Sequence, residues 1–456
     1  MANLFDLRRT APLALGLLLS GCGVTQGIFG GSHPKLGEPT PAKPVIGFAV
    51  APVPQAALAA RRILAEGGNA ADAATAAGFA LAVTLPSRAG LGGGGACLID
   101  LPKSDGGTGI ATSLLFPPGA PSGGNASASR PAAVPQMARG LIAMQARYGR
   151  LPLATDLAPA EAMAGGGVAV SRALAADLGV VGTALVADPA ARAVFAGPSG
   201  QMLAAGDVMH QPDLAATLTQ LQSSGVLGLY RGRLAEKFVA GADEAGGGLT
   251  MADLAALKPQ YARPVTLERF GYHMDFIPDA GGLGAAAGIE ALAADPTALV
   301  QAEQSALAAA QAARHGAAMD RLPASASFAT LDSRGGVVGC ATTMNNLFGT
   351  GRIAPGTGIL LAASPTGITP PLLAAGLATR DGKFRAIATG SGQQGAAMAV
   401  AAGLANAVRS DEPMPQPVPA PGRANVIGCA GLLPGAPKTC AAAADPRGFG
   451  LATGSN

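Results

Sequence analysis

The chain has 456 residues, room for two to four domains at about 100–200 residues each, and 49% of them are hydrophobic, enough for a sizeable core. Lys and Arg number 31 against 28 Asp and Glu, a net charge of +3; with 4 Tyr, no Trp and 13% charged residues, the basic stripe and stacking aromatics of a nucleic-acid binder are missing. The 66 Gly and 36 Pro announce many turns and close backbone approaches.

Met1 to Gly21 sets Arg8 and Arg9 ahead of an apolar stretch from Ala11 to Leu19, the layout of an export signal and too short to span a membrane. It ends in Leu19-Ser20-Gly21-Cys22, which resembles a bacterial lipobox, so residues 1–21 are expected to be removed and Cys22 to carry lipid. Gly23 follows where an Asp would favour the inner membrane. The expected location is therefore the outer membrane, facing the periplasm, with the membrane held through the lipid on Cys22. Residues 22–44, rich in Gly, Pro and Ser, read as a flexible tether.

Ile46–Val50 reads as a strand and Gln55–Ala65 as a helix stopped by Gly67-Gly68. Asn69 caps the next helix, Ala70–Val83, which is apolar on nearly every face and so belongs in the middle of the molecule. The glycine run Gly90-Leu91-Gly92-Gly93-Gly94-Gly95 matches a dinucleotide-binding fingerprint in letters only. That fingerprint needs a strand before and a helix after, whereas here a helix precedes and the strand Ala96–Leu101 follows. No nucleotide or other cofactor is expected. The run reads as a turn and packing element, with Arg88 beside it read as a solvated cation in preference to one that reaches an anionic substrate.

Residues 110–116 read as a strand, Pro117–Pro131 as a loop, and Ala138 to Ala240 as a succession of helices. Thr250 caps a short helix at Met251–Leu257; strands follow at Val265–Phe270 and His273–Ile277, and an Ala-rich helix or helix pair covers Leu283–Gly316. Strands recur at 327–332, 336–344 and 385–389, then a helix at Gly395–Val408, and a Pro-rich segment 413–421 leads to a cysteine-containing tail. Strands at both ends around a helical middle suggest a layered α+β sandwich with the sheets inside. Cys429 and Cys440 lie close enough in the tail to bridge, a pairing the sequence leaves open; Cys97 and Cys340, in apolar strands, read as buried thiols. With no CxxC pair and four scattered His, a metal site has no support.

Several segments together resemble the gamma-glutamyltranspeptidase family: Gly67-Gly68-Asn69-Ala70-Ala71-Asp72 with Gly90 to Gly95, then Arg147-Tyr148-Gly149-Arg150-Leu151-Pro152, then Gln211-Pro212-Asp213-Leu214. Gly246-Gly247-Gly248-Leu249-Thr250, Asp279-Ala280-Gly281-Gly282, Pro355-Gly356-Thr357-Gly358 and Ala444-Asp445-Pro446-Arg447 continue it in order over about 400 residues. The resemblance implies an N-terminal-nucleophile hydrolase fold, an αββα sandwich whose chain cuts itself into a large and a small subunit. Residues 45–324 would correspond to the large and 325–456 to the small. The freed N-terminal residue would then transfer an acyl group from a small amide or peptide substrate to water or an amine, its own α-amine serving as base, so that no histidine is needed.

Counting back from Asp332 puts the family's nucleophile position on Ser325, in place of Thr. Thr343 matches the hydroxyl that hydrogen-bonds the nucleophile, and Asn345 an Asn that contacts the substrate amino group. Further candidate substrate contacts are Ser364, within Ala362-Ala363-Ser364-Pro365-Thr366-Gly367, and Gln393 and Gln394, at the family's oxyanion Gly-Gly. The family's glutamyl clamps are replaced: its Arg falls in Gly124-Asn125-Ala126, its carboxylate in the Ala362 segment and its Ser-Ser pair on Pro371-Leu372. Two readings follow. One is an amidohydrolase or acyltransferase with altered substrate choice; the other is a non-catalytic envelope protein that keeps the fold.

Overall fold

A computed structural model describes residues 46–122, 128–314, 322, 324–366, 368–410 and 413–455; the expected signal, Cys22 and the tether lie outside them. The fold is organised around helix α2 (Ala70–Thr84), preceded by α1 (Pro54–Ala65). Every residue of α2 is buried, a consequence of an Ala-rich sequence that lets neighbours approach on all sides. The Asn69 side chain accepts the Ala71 and Asp72 N–H bonds while the Asp72 carboxylate accepts the Asn69 N–H, a reciprocal cap that fixes where α2 begins. At Gly78 an added Cβ would lie 2.6 Å from the Leu141 side chain of α3 (Met137–Tyr148), so glycine lets the two helices cross closely without Leu141 moving aside.

Two antiparallel sheets lie between helical layers. The first comprises β1 (Gly47–Ala51), β2 (Gly94–Asp100), β3 (Thr112–Phe116), β4 (Gln260–Ala262), β7 (Ser325–Asp332), β8 (Val337–Thr343) and β13 (Leu451–Ser455). Their spatial order is β13-β1-β7-β8-β2-β3-β4. The second comprises β5 (Val265–Arg269), β6 (Tyr272–Phe276), β9 (Ala374–Arg380), β10 (Lys383–Ser391), β11 (Arg423–Leu433) and β12 (Cys440–Ala443), ordered β12-β11-β10-β9-β6-β5. Phe48, Leu98 and Leu331 of the first sheet meet Leu377, Ile387 and Ile427 of the second in one apolar interior. Helices α1 to α3 cover the outer face of the first sheet, with α4 (Leu153–Gly166) packed on α2; α5 (Ala280–Ala294) and α7 (Gly395–Arg409) cover the second, with α6 (Leu299–Ala313) packed on them. This is the αββα arrangement expected, and each sheet takes strands from both sides of position 325.

Three differences from the sequence reading matter. The cysteine-containing tail supplies three strands the sequence reading does not place, β11, β12 and β13, which complete the sheets, and β9 fills a stretch that shows no strand pattern. Cys97 and Cys340 are not free thiols but a disulfide between directly opposed residues of β2 and β8. Cys429 and Cys440, opposed on β11 and β12, form a second. Arg88 is not a solvated cation, because Asp177 pairs with it bidentately and also accepts the Ser87 hydroxyl at 2.6 Å.

Candidate functional site

Ser325 begins β7 and stands directly opposite Thr343, the last residue of β8. Its side chain is buried, and its Oγ accepts the Gly392 N–H at 3.0 Å. Gly392 follows β10, so the second sheet presents this donor to a serine of the first. An added Cβ on Gly392 would sit 2.0 Å from the Pro421 carbonyl oxygen, and its φ of +100° is one that glycine tolerates.

Thr343 does not bond Ser325. Its hydroxyl donates to the Ala324 carbonyl at 3.0 Å and accepts the Asn345 N–H at 2.8 Å, which fixes the direction of its proton. The Met344 N–H reaches the same carbonyl at 3.2 Å, and the Gln393 amide oxygen accepts the Ala324 N–H at 3.2 Å. The Ala324–Ser325 peptide is therefore gripped at its carbonyl by two donors while the adjoining hydroxyl faces a third. The glycine run supplies the backing: a Cβ on Gly93 would lie 2.3 Å from the Thr343 carbonyl oxygen, so this strand end can be approached only by glycine.

Asn345, at φ 62°, donates to the Ala363 carbonyl at 2.8 Å, and its buried Oδ1 has no hydrogen-bond partner among the described residues. The Ser364 hydroxyl is engaged in a local turn with Thr366 and does not line the cavity at Ser325. Gln394 leads into α7 and also lies outside that lining. Of these candidates only Ser325 lines the cavity; Thr343, Asn345 and Gln393 converge with it through the hydrogen bonds around the Ala324–Ser325 peptide. Gly124 to Ala126, where the family's Arg would fall, lie outside the described residues; Arg130 donates instead to the Thr350 carbonyl.

β1 pairs only with residues 329–332 of β7, leaving the edge at Ser325 and Ala326 open. A cavity of about 80 Å³ occupies that gap, lined by Ser325, Ser391, Asn425, Arg88, Arg423 and Asp445 among others. Sequence reasoning missed Arg423 and Asn425. Arg423 stands opposite Ser391, one residue before the Gly392 donor, and Asn425 ties the sheets together through the Ser327 carbonyl at 2.7 Å. The acids here are committed elsewhere: Asp177 to Arg88, and Asp445 to Arg447 at 2.7 Å. Burial opposes ionisation of Asp445, but the Arg447 hydrogen bonds hold its carboxyl below the usual range. Arg423 forms no ion pair or hydrogen bond through its guanidinium among the described residues, and burial followed by the Arg88 charge lowers its pKa.

The gamma-glutamyltranspeptidase family profile matches residues 56–304, more than half of the chain. This chain belongs to the gamma-glutamyltranspeptidase family. It is 34% identical over 235 residues to the glutathione hydrolase proenzyme of Escherichia coli (strain K12), covering 48% of this chain and 40% of that one. It is 31% identical over 256 residues to the acylase ACY 1 proenzyme of Pseudomonas sp. (strain V22), covering 52% and 45%. The matches therefore span less than half the length of these curated relatives. Among solved structures, cephalosporin acylase from Bacillus halodurans superposes with a TM-score of 0.72 at 22% identity, over 92% of this chain and 98% of that one. Helicobacter pylori gamma-glutamyltranspeptidase gives 0.51 at 29% identity over 57% and 80%. The fold is that of the N-terminal-nucleophile hydrolases to which these structures belong.

Proposed function

We propose that this family member cuts itself between Ala324 and Ser325 and then acts as an amidohydrolase or acyltransferase with Ser325 as nucleophile. The observation that carries the reading is the Ala324 carbonyl held by the Thr343 hydroxyl and the Met344 N–H, beside a serine Oγ held by Gly392. Attack of Oγ on the Ala324 carbonyl carbon places negative charge on an oxygen that already has two donors. Breaking the C–N bond delivers the serine proton to the departing nitrogen and leaves an ester. Water hydrolyses that ester to an Ala324 carboxylate and a free Ser325 amine. This amine then takes the Oγ proton during attack on a substrate amide, and the acyl-serine passes to water or an amine.

The test is an intact mass of residues 23–456 under reducing, denaturing conditions, with N-terminal sequencing of each fragment. Two chains are expected, the smaller beginning at Ser325; Ser325→Ala is expected to stay whole, and Thr343→Val to cut about a hundredfold more slowly, with Thr343→Ser restoring the rate. A wild-type chain that stays whole for days would overturn self-cleavage. It would favour the second reading, an envelope protein that binds without catalysis, for which the replaced glutamyl clamps at Gly124–Ala126 and Pro371-Leu372 already argue.

Those replacements also argue against a glutamyl zwitterion as donor. Arg423, the cavity's uncommitted cation, favours an acyl donor that carries a carboxylate. Arg423→Ala is expected to raise KM for such a donor about tenfold or more, with little change for a neutral one. Equal losses on both donors would discard this assignment. The two disulfides support export to an oxidising compartment, as the lipobox-like start suggests.

A further inference from the structure

A second cavity, of about 310 Å³, opens between α3, the helical turn Leu227–Tyr230 and residues 255–259, and does not touch Ser325. Its walls are almost wholly apolar, with Ile142, Ala143, Ala146, Val226 and Leu227 prominent, yet three cations border it: Arg139, Arg231 and Lys258. Arg139 is built in. Its Nη1 donates to the Leu254 carbonyl at 2.9 Å and to the Leu257 carbonyl, and its guanidinium lies 3.7 Å above the Tyr230 ring. The Tyr230 hydroxyl is committed to the Pro135 carbonyl at 3.1 Å and leaves no polar tip for a ligand.

Arg231 and Lys258 are different. Neither side chain forms an ion pair or hydrogen bond among the described residues, and no acidic side chain lines the cavity. Burial and, more weakly, the nearby Arg231 charge lower the pKa of Arg139, so cations crowd one another around an apolar slot. A structural core fills such a slot with hydrocarbon and a solvated surface intersperses acids among its bases; this site does neither.

We propose that this cavity binds an amphipathic anion, a free medium-chain fatty carboxylate whose hydrocarbon lies against Ile142, Ala146 and Leu227 and whose carboxylate meets Arg231 and Lys258. At roughly 30 Å³ per water-sized group, the volume holds a chain of about ten carbons. The apolar part supplies affinity by leaving water, and the two cations select the charged head. The site is separate from Ser325, so the inference does not rest on self-cleavage.

Calorimetric titration of full-length mature protein with decanoate, decanol and acetate tests it, below the concentration at which decanoate self-associates. Decanoate is expected to bind at one site, decanol about tenfold more weakly, and acetate not at all. Arg231→Ala with Lys258→Ala should bring decanoate down to the level of decanol and leave decanol unchanged. Ala146→Phe, an exposed helix position at the rim, should weaken both by plugging the slot. Equal binding of decanoate and decanol by the wild type would overturn the carboxylate assignment, as would an unaltered decanoate affinity in the double variant. Binding indifferent to Ala146→Phe, or no binding at all, would overturn the site.

Discussion

Without reductant, protein cut before Ser325 is expected to remain one covalent species in denaturing mass spectrometry, and to give two chains only once Cys97–Cys340 is reduced. Cys97 lies upstream of the cut and Cys340 downstream, 243 residues apart, yet they are register partners at the centre of the first sheet. The cut would add one water to the mass and nothing else. Both sulfurs belong to fully buried residues, so reductant should reach them only after unfolding. Cys97→Ser with Cys340→Ser should therefore release two chains under denaturing conditions without any reductant. In native buffer the same variant should stay associated, because both sheets interleave strands from either side of position 325. It should also lose stability; for a link closing so long a loop, chain entropy sets the loss on the order of 5 kcal/mol in uncut protein. Two chains appearing from cut wild-type protein without reductant would contradict the cross-link.

The parts of this fold legible in sequence are those fixed by short-range chemistry. Asn69 with Asp72 and Thr250 with Asp253 are reciprocal caps three residues apart, and each starts a helix where the sequence indicates. The uniformly apolar Ala70–Thr84 is the central helix for the reason its composition implies. The strands that escaped notice share a different cause. Ala374–Arg380 is buried on both faces, between the interior and α7, so it shows no alternation, and its Ala and Gly residues lack the branched side chains that mark a strand. Arg423–Leu433 begins just after a proline- and glycine-rich run that reads as loop.

The site divides the same way. Ser325, Thr343, Asn345 and Gln393 come from motif spacing, and they do converge. Their bonding does not follow from spacing: the Thr343 hydroxyl donates to the Ala324 carbonyl and accepts the Asn345 N–H, and Ser325 Oγ is held by Gly392 instead. Arg423 and Asn425 reach the cavity only because β11 pairs with β10, nearly a hundred residues after Ser325. No local signal announces that pairing. The Cys97–Cys340 link is hidden for the same reason, since two apolar strands with one cysteine each say nothing of register.

Replacing Asp156 by Asn is expected to stabilise the protein near neutral pH, by an amount that grows as pH rises. Asp156 lies in α4, fully buried, with its carboxyl against that of Asp72, to which it can hydrogen-bond only when protonated. Burial first, then the Asp72 charge, the hydrogen bond that the protonated group makes to Asp72 and the more distant Glu66 charge push its pKa from 3.8 up to about 9. The Asp72 carboxyl already accepts the Asn69, Arg150 and Leu151 N–H groups, so it is the acceptor of the pair and Asp156 keeps the proton. The folded state therefore keeps the Asp156 proton across a range in which the unfolded chain releases it. Between pH 3.8 and about 9 the native form binds the extra proton, so this group's contribution to stability falls as pH rises, by about 1.4 kcal/mol per pH unit. Asn keeps the shape and the neutral charge without that pH dependence. Urea midpoints of wild type and Asp156→Asn, with both disulfides intact, should coincide near pH 4 and separate progressively at pH 5.5 and 7, the variant being the more stable by a few kcal/mol at pH 7. Parallel profiles would mean that Asp156 ionises at an ordinary pH in the folded protein, and that its neighbours or water hold the charge.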